Sequence, residues 1–298
     1  AYEIYQCDWS SDVCSSDLTY VVAALHHAIS DGNGALALAG HLFDQAPAVA
    51  EQPDAARPSK ADATHQSLRS ALVRVFERAL RDPQGLARDL STVTRSLNAV
   101  LQIPQDVHAQ AMAKRSSSFG QFFFRFPKSA VRQATAGKGV SQHDALVASV
   151  CRAMWLYHSE QNLALEKVRI NVPVALSVEQ AVANRMIVAR LEMDLADPQP
   201  AALMRQSNER LHEWRSQPAL AVASELVEAS RLIPTAVLAS VVKKADATIS
   251  SLRGVARLGT IGGHHVSGIL PLVAPIGAAV SVTSVGVGRE ITMCVTHD

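Results

Sequence analysis

Residues 19–44, TYVVAALHHAISDGNGALALAGHLFD, constrain the chain more than any other stretch. Thr19–Leu25 is a β-rich apolar run that ends in the pair His26-His27. Asp31-Gly32 and a second glycine, Gly34, follow, and from Ala35 to Phe43 the apolar Leu36, Leu38, Ala39 and Leu42 return at roughly helical spacing. The pattern predicts strand, tight polar turn, helix. A turn at the end of a strand holds a side chain rigidly while letting it face a cleft. His27 is the leading candidate for chemistry, because imidazole is the side chain whose unperturbed pKa lets it take up and return a proton near neutrality. Asp31, four residues on, is placed to steer or lock the turn, and Gly32 permits a backbone angle or close approach that a side chain would block. The plain alternative is a pair of core or surface histidines beside an ordinary Asp-Gly turn. Two His, an Asp and a Gly at fixed spacing between strand and helix weigh against it.

The first eighteen residues, AYEIYQCDWSSDVCSSDL, resemble the in-frame translation of a sequencing adaptor, and they are set aside from fold reasoning. Cys7 and Cys14 leave with them, as do Glu3, Asp8, Asp12 and Asp17, which raises the formal net charge from +1 to +5. On this expectation the chain enters a domain at a strand, its upstream portion missing, and MCVTHD at the other end also stops in a strand-like run. The 298 residues, 48% hydrophobic and 18% charged, suffice for one large domain or two smaller ones. Low aromatic content with abundant Ala, Val and Leu suits a soluble α/β protein. Cys151 and Cys294 have neither metal-ligand nor disulfide-framework spacing, so a reducing, cytoplasmic setting is expected. Leu258–Gly288 lacks Lys, Arg, Asp and Glu, but its prolines, glycines and Val/Ser/Thr content favour buried strands over a membrane-spanning helix.

Residues 45–66 read as an exposed Ala/Pro/Gln linker. Residues 68–114 have a helical pattern in which Leu72, Val75, Phe76 and Leu80 share a face among Arg69, Arg74, Arg78 and Arg81. Such a helix packs on its own domain with a solvated basic side, or lies on an anionic membrane. Ser116–Pro127, with five phenylalanines, is expected to be a strand facing a core, or the lining of an acyl channel. Val140–His158 is a helix with Ser141 as N-cap and Asp144 in its first turn. Val168–Leu176 and Met186–Leu195 are strands, and DLADP turns into a helix that runs through Trp214. Among the strands expected within Leu258–Gly288 the pair His264-His265 is a loop feature; the bounds of the closing strands, Leu270–Ala274 and Ala278–Val285, and of the late strand Ala245–Gly254 are those implied by the family resemblance that follows.

HHAISDG resembles the HHxxxDG motif of the CoA-dependent acyltransferase superfamily, whose fold is chloramphenicol acetyltransferase-like. Among its branches the chain looks most like the wax ester synthase/diacylglycerol acyltransferase family. The helix expected over Val140–His158 opens with His143-Asp144 where the family has Asn-Asp. The order of strand, Asn184-Arg185 turn, strand, Asp-Pro turn and helix also resembles the family. ADATISSLRG (245–254) resembles its late strand D-x-T-V-S-N-x-P-G, with Ser251 in place of Asn and Arg253 in place of Pro. The resemblance implies an α/β fragment: 19–44 ends the first acyltransferase half, 45–115 is linker and helices, and 116–298 supplies most of the second half. Such a fragment is not expected to turn over alone.

The implied reaction moves a fatty acyl group from acyl-CoA to diacylglycerol or a long-chain alcohol. His27 is its general base, without a covalent intermediate, and no G-x-S-x-G elbow is present. His26 shapes the turn, and Asp31 is a structural carboxylate paired with a distant Arg. The sequence does not identify the oxyanion donor, for which Asn33 and backbone amides are the candidates; Asn33 is also a candidate substrate contact, and Asp144 is a structural or site-lining residue. No cofactor or metal is implied, and no nucleic acid. The partners are acyl-CoA and the lipid acceptor, with a peripheral membrane or lipid-droplet surface as a further one. Two other readings stay open: a condensation-domain-like acyltransferase acting on carrier-bound substrates, and a non-catalytic lipid-binding relative, for which the altered His143, Ser251 and Arg253 speak.

Overall fold

The computed structural model describes residues 19–25, 32–44, 108–112, 118–175, 186–217, 245–273 and 277–297. Its centre is a six-stranded mixed sheet. The strands are β1 (Gly120–Pro127), β2 (Lys167–Ala175), β3 (Met186–Asp194), β4 (Ala245–Val255), β7 (Ala278–Val287) and β8 (Glu290–His297), and between β4 and β7 a small hairpin is made of β5 (Thr260–Ile261) and β6 (His264–His265). The order across the large sheet is β1-β8-β7-β4-β2-β3. Strand β4 runs parallel to both its neighbours, β2 and β7, whereas β2–β3, β7–β8 and β8–β1 are antiparallel. The four described α-helices are α1 (Gly32–Ala39), α2 (Lys128–Thr135), α3 (Gln142–Glu160) and α4 (Pro200–Arg215).

Alternation along the strands sets which face is dry. Ile170 and Val172 of β2, Ala247 and Ile249 of β4 and Val282 of β7 point to one face. There they meet Val147, Cys151 and Met154 of α3 and Leu203, Leu211 and Trp214 of α4 in one core cluster. Pro173 sits in β2 beyond the two residues recorded as pairing with β4, where the proline's missing donor costs no ladder bond on that side. Cys151 and Cys294 are free and buried, and desolvation pushes the Cys151 thiol up to about 12.

Two contacts lock β4 in register. The buried Asp246 carboxylate accepts from the backbone amides of Arg169 (2.7 Å), His108 (2.9 Å) and Ala109 (2.8 Å), tying β2 and the segment before the Gln110–Met112 turn to the start of β4. At the other end a Cβ on Gly254 would stand 2.5 Å from the Gly286 carbonyl oxygen, so the two backbones approach as only glycine allows, beside a register shift between Leu252 and Val255.

The strands and helices expected at 140–158, 168–176, 186–195, 198–214 and 245–254 fall within two or three residues of α3, β2, β3, α4 and β4. Others differ. Thr19–Leu25 forms no ladder beyond an isolated bridge at Val22, and Tyr20, Val21, Val22 and Leu25 stay exposed. β-branched composition makes a strand only where a neighbour supplies the other half of the ladder. The phenylalanines of β1 do not face a core, Phe126 excepted, because β1 is an edge strand. Residues 270–273 have no regular structure; Pro271 lies among them, and the closing strands are β7 and β8. His264-His265 forms exposed strand β6 rather than a loop. The expected linker at 45–66 and the basic helical region at 68–107 lie outside the described residues. Among the described residues no helix is long and apolar enough to cross a membrane.

Asp246→Ala removes one acceptor from three backbone amides, and is expected to cost about 3 kcal/mol or more, since each orphaned buried amide costs about 1–3 kcal/mol. Urea unfolding with an unchanged slope and a lower midpoint is the expected observation. A midpoint equal to the parent's contradicts the assigned role.

Candidate active site

Of the residues singled out in the sequence, His26, His27 and Asp31 lie outside the described residues. Gly32 opens α1, and Asn33 lies in its first turn. A Cβ at Gly32 would collide with the Leu252 side chain of β4. Adjacent strand residues point to opposite faces. Ser251 reaches α3, so Leu252 and the helix that follows the motif lie on the face that α3 and α4 leave open. The end of this segment is held separately. Asp44 donates its amide to the Thr260 carbonyl (2.8 Å). Its carboxylate accepts from Thr260 Oγ1 (2.6 Å) and from the amides of Gly262 and Gly263 (2.9 Å each). Gly262 and Gly263 have φ of 58° and 80°, the left-handed pair that a tight two-residue hairpin demands. The Thr260 hydroxyl, with the two glycine amides, holds the Asp44 carboxyl below its ordinary range against a small opposing effect of burial.

Asp144 has its carboxylate committed to structure. It closes a capping box with Ser141, accepting from the Ser141 amide (2.8 Å) and hydroxyl (2.7 Å), while Ser141 Oγ accepts from the Asp144 amide (3.2 Å). Ser207 Oγ (2.8 Å) and Asn208 Nδ2 (3.1 Å) of α4 donate to the same group. Burial works against the charge, but the bonds from Ser141, Ser207 and Asn208 together outweigh it and keep the pKa below the usual carboxylate value. Of the two roles open to Asp144, these contacts fill the structural one.

The two substitutions that look independent in the sequence touch each other. His143 Nδ1 lies 3.0 Å from Ser251 Oγ, and Ser284 Oγ of β7 donates to that same hydroxyl at 3.2 Å. His143 Nε2 is buried and has no hydrogen-bond partner. Desolvation lowers the His143 pKa to about 4, with Asp144 pulling up and Arg215 pushing down. The ring is therefore neutral at neutral pH, a hydrogen-bonding strut between the start of α3 and β4. Sequence reasoning flagged both positions as departures but had no means of pairing residues 108 apart. The Asp44 latch it missed altogether.

Two surface hollows of about 210 and 220 Å³ are lined by His108, Leu165 and Lys167 and by Asp194, Leu203 and Gln206 respectively; Gly32, His143 and Ser251 line neither. Among the described residues no group of three or more His, Cys, Asp or Glu is arranged to hold a metal ion.

The first condensation domain of the calcium-dependent antibiotic synthetase matches at 12% identity and a TM-score of 0.50, over 92% of this chain and 57% of that one. The starter condensation domain of the rhizomide synthetase matches at 11% identity and 0.48, over 92% and 58%. The wax ester synthase/diacylglycerol acyltransferase from Marinobacter aquaeolei VT8 matches at 14% identity and 0.43, over 70% and 50%. The chain thus spans about half the length of the solved structures it matches. A comparison with curated protein sequences gives no match. The mixed α/β sheet with helices banked on one side places the chain in the chloramphenicol acetyltransferase-like fold. The sequence profile of the wax ester synthase/diacylglycerol acyltransferase catalytic domain matches residues 19–141, and that of the C-terminal domain of the same family matches 183–298. The chain belongs to the wax ester synthase/diacylglycerol acyltransferase family.

His143 carries a pH signature. A folded-state pKa near 4, below the ordinary 6.5, means that the stability linked to the neutral ring is complete above about pH 6.5 and is lost as pH falls toward 4. His143→Asn is expected to flatten that decline by about 2–3 kcal/mol, at 1.36 kcal/mol per pKa unit, in urea unfolding measured across the window. Ser251→Asn combined with it should cost less than the two single changes summed, by about 1 kcal/mol, as contacting residues do. Strict additivity counts against the strut.

Proposed function

We propose that this protein is an O-acyltransferase that moves a fatty acyl group from acyl-CoA to the hydroxyl of diacylglycerol or a long-chain alcohol. The observation that carries this is HHAISDG, at residues 26–32, standing inside the stretch matched by the family's catalytic domain. His27 takes the proton from the acceptor hydroxyl as its oxygen attacks the thioester carbonyl. The tetrahedral adduct collapses with loss of the CoA thiolate, which takes that proton back from the imidazolium. One C–O bond forms, one C–S bond breaks, and no acyl-enzyme is needed. His26 and Asp31 shape the turn, and Gly32 keeps it close to the sheet. Asn33 and neighbouring amides would steady the oxyanion. The neutral strut from His143 to Ser251 supports this reading, because it fixes the strand against which Gly32 lies. No cofactor is required, and acyl-CoA enters as substrate. The protein works in the cytoplasm, at the periphery of a membrane or lipid droplet.

The test is ester formation from labelled long-chain acyl-CoA with hexadecanol or diacylglycerol by a parent in which an upstream acyltransferase half is restored, since the fragment is not expected to turn over alone. His27→Ala is expected to lower turnover by about 10²–10⁴-fold, the usual contribution of a general base. Unchanged turnover in the variant refutes the base. Transfer from carrier-bound donors alone points to condensation chemistry. Lipid binding with no turnover in the parent points to a non-catalytic relative.

A further inference from the structure

Among the described residues strand β1 ends the large sheet. The Lys128 amide donates to the Arg289 carbonyl (2.8 Å), one step beyond the facing pair Pro127 and Glu290. Hydrogen-bonded and non-bonded positions alternate along an antiparallel ladder, so Phe122, Phe124 and Phe126 turn their backbone groups toward β8. Gln121, Phe123 and Arg125 turn theirs outward, and Pro127 follows in that row, where its missing donor costs the β8 ladder nothing. Charge, proline or a bulge ordinarily blunts such an edge. Here the register with β8 is unbroken over the 8 residues of β1, the one charge is Arg125 and the one proline stands last.

The side chains are as uncovered as the backbone. Phe122, Phe123 and Phe124 are 50%, 37% and 39% exposed. Phe122 and Phe124, opposite Val295 and Met293, share the face on which Phe126 joins the core, and Phe123, opposite Cys294, points to the other. Single exposed apolar residues are ordinary, but bare rings on both faces of one edge strand are not. A helix or loop laid on either face would leave a ring bare on the other. A strand added at the edge satisfies the outward backbone groups and sets cross-strand neighbours beside the rings of both faces.

We infer that the added strand is β1 of a second copy, paired antiparallel about a two-fold axis normal to the sheet at Phe123. Outward-facing residues must meet outward-facing residues, which leaves few registers. With Phe123 opposite its own copy, Phe122 stands beside Phe124 of the second copy and Phe124 beside its Phe122, so each of the three bare rings meets another. Arg125 then falls opposite Gln121 rather than opposite a second Arg. The next allowed register one way sets Phe123 against Arg125 and Phe122 against the core-packed Phe126. The next the other way sets Phe123 against Gln121 and Phe124 against Gly120. One strand a side is well short of the roughly 20–30 residues a side of a stable complex, so the contact is reversible, with a micromolar Kd or weaker. The inference rests neither on acyl transfer nor on the motif at 26–32.

Sedimentation velocity of the full chain, from micromolar to millimolar concentration, is expected to show a reversible monomer–dimer equilibrium. Phe123→Lys is expected to weaken it about tenfold, because an aromatic pair is lost and like charges stand opposite one another. Gln121→Pro removes an outward N–H from each copy and no bond to β8; it is expected to weaken the dimer by about tenfold too, and it stands in if the lysine disturbs the fold. Oxidation reports the register. In a Cys7→Ser, Cys14→Ser, Cys294→Ser background, Phe123→Cys is expected to form an intermolecular disulfide, its two Cα atoms about 5.5 Å apart. Gln121→Cys alone is expected not to link, and to link when mixed with Arg125→Cys. A monomer at every concentration overturns the inference, as does a dimer that neither substitution weakens, or cross-linking no faster at Phe123→Cys than at Gln121→Cys alone. A dimer lost on restoring an upstream acyltransferase half assigns the edge to that half and overturns it equally.

Discussion

Strand β4 has no free side. It is hydrogen-bonded to parallel neighbours on both edges, packed under α3 and α4 on one face and approached by α1 on the other. A parallel strand in that position settles its polar groups largely on protein partners, although Thr248 Oγ1 stays buried with no hydrogen-bond partner. Asp246 does so by gathering three backbone amides, one from β2 and two from the segment before the Gln110–Met112 turn. Ser251 does so by sharing its hydroxyl between His143 and Ser284. Gly254 does so by carrying no side chain at all where β7 comes too near. Each solution ties a distant piece of chain to the same eleven-residue strand, against which α1 lies at Leu252.

The family resemblance was legible because its words are local. HHAISDG, Ser141 with Asp144, the Asn-Arg and Asp-Pro turns and DATISS each occupy a few consecutive residues, and local rules of capping, alternation and turn chemistry read them directly. What failed to show was anything that depends on who stands beside whom. The Phe-rich run looks like core because composition does not say which strand ends the sheet, and β1 ends it. Thr19–Leu25 looks like a strand because its residues favour one, yet only Val22 finds a partner. His143 and Ser251 looked like two unrelated losses of an amide. In space they touch, the His143 imidazole against the Ser251 hydroxyl.

The two carboxylates nearest the family motifs illustrate how little a residue type says about its work. Asp44 and Asp144 both lie below the ordinary carboxyl range because hydrogen bonds favour the anion. Asp44 is in water, latching a segment to a hairpin turn. Asp144 is buried, fastening one helix to another.

Cys151 has a use that its burial creates. A thiol pushed up to about 12 in the middle of α3 holds almost no thiolate, and the thiolate is what alkylating reagents attack. Its silence toward such a reagent lasts as long as the helix lies on the sheet. Labelling at Cys151 itself, resolved from that at Cys7, Cys14 and Cys294, therefore marks the moments when the core opens, and this native cysteine serves as a clock for that opening.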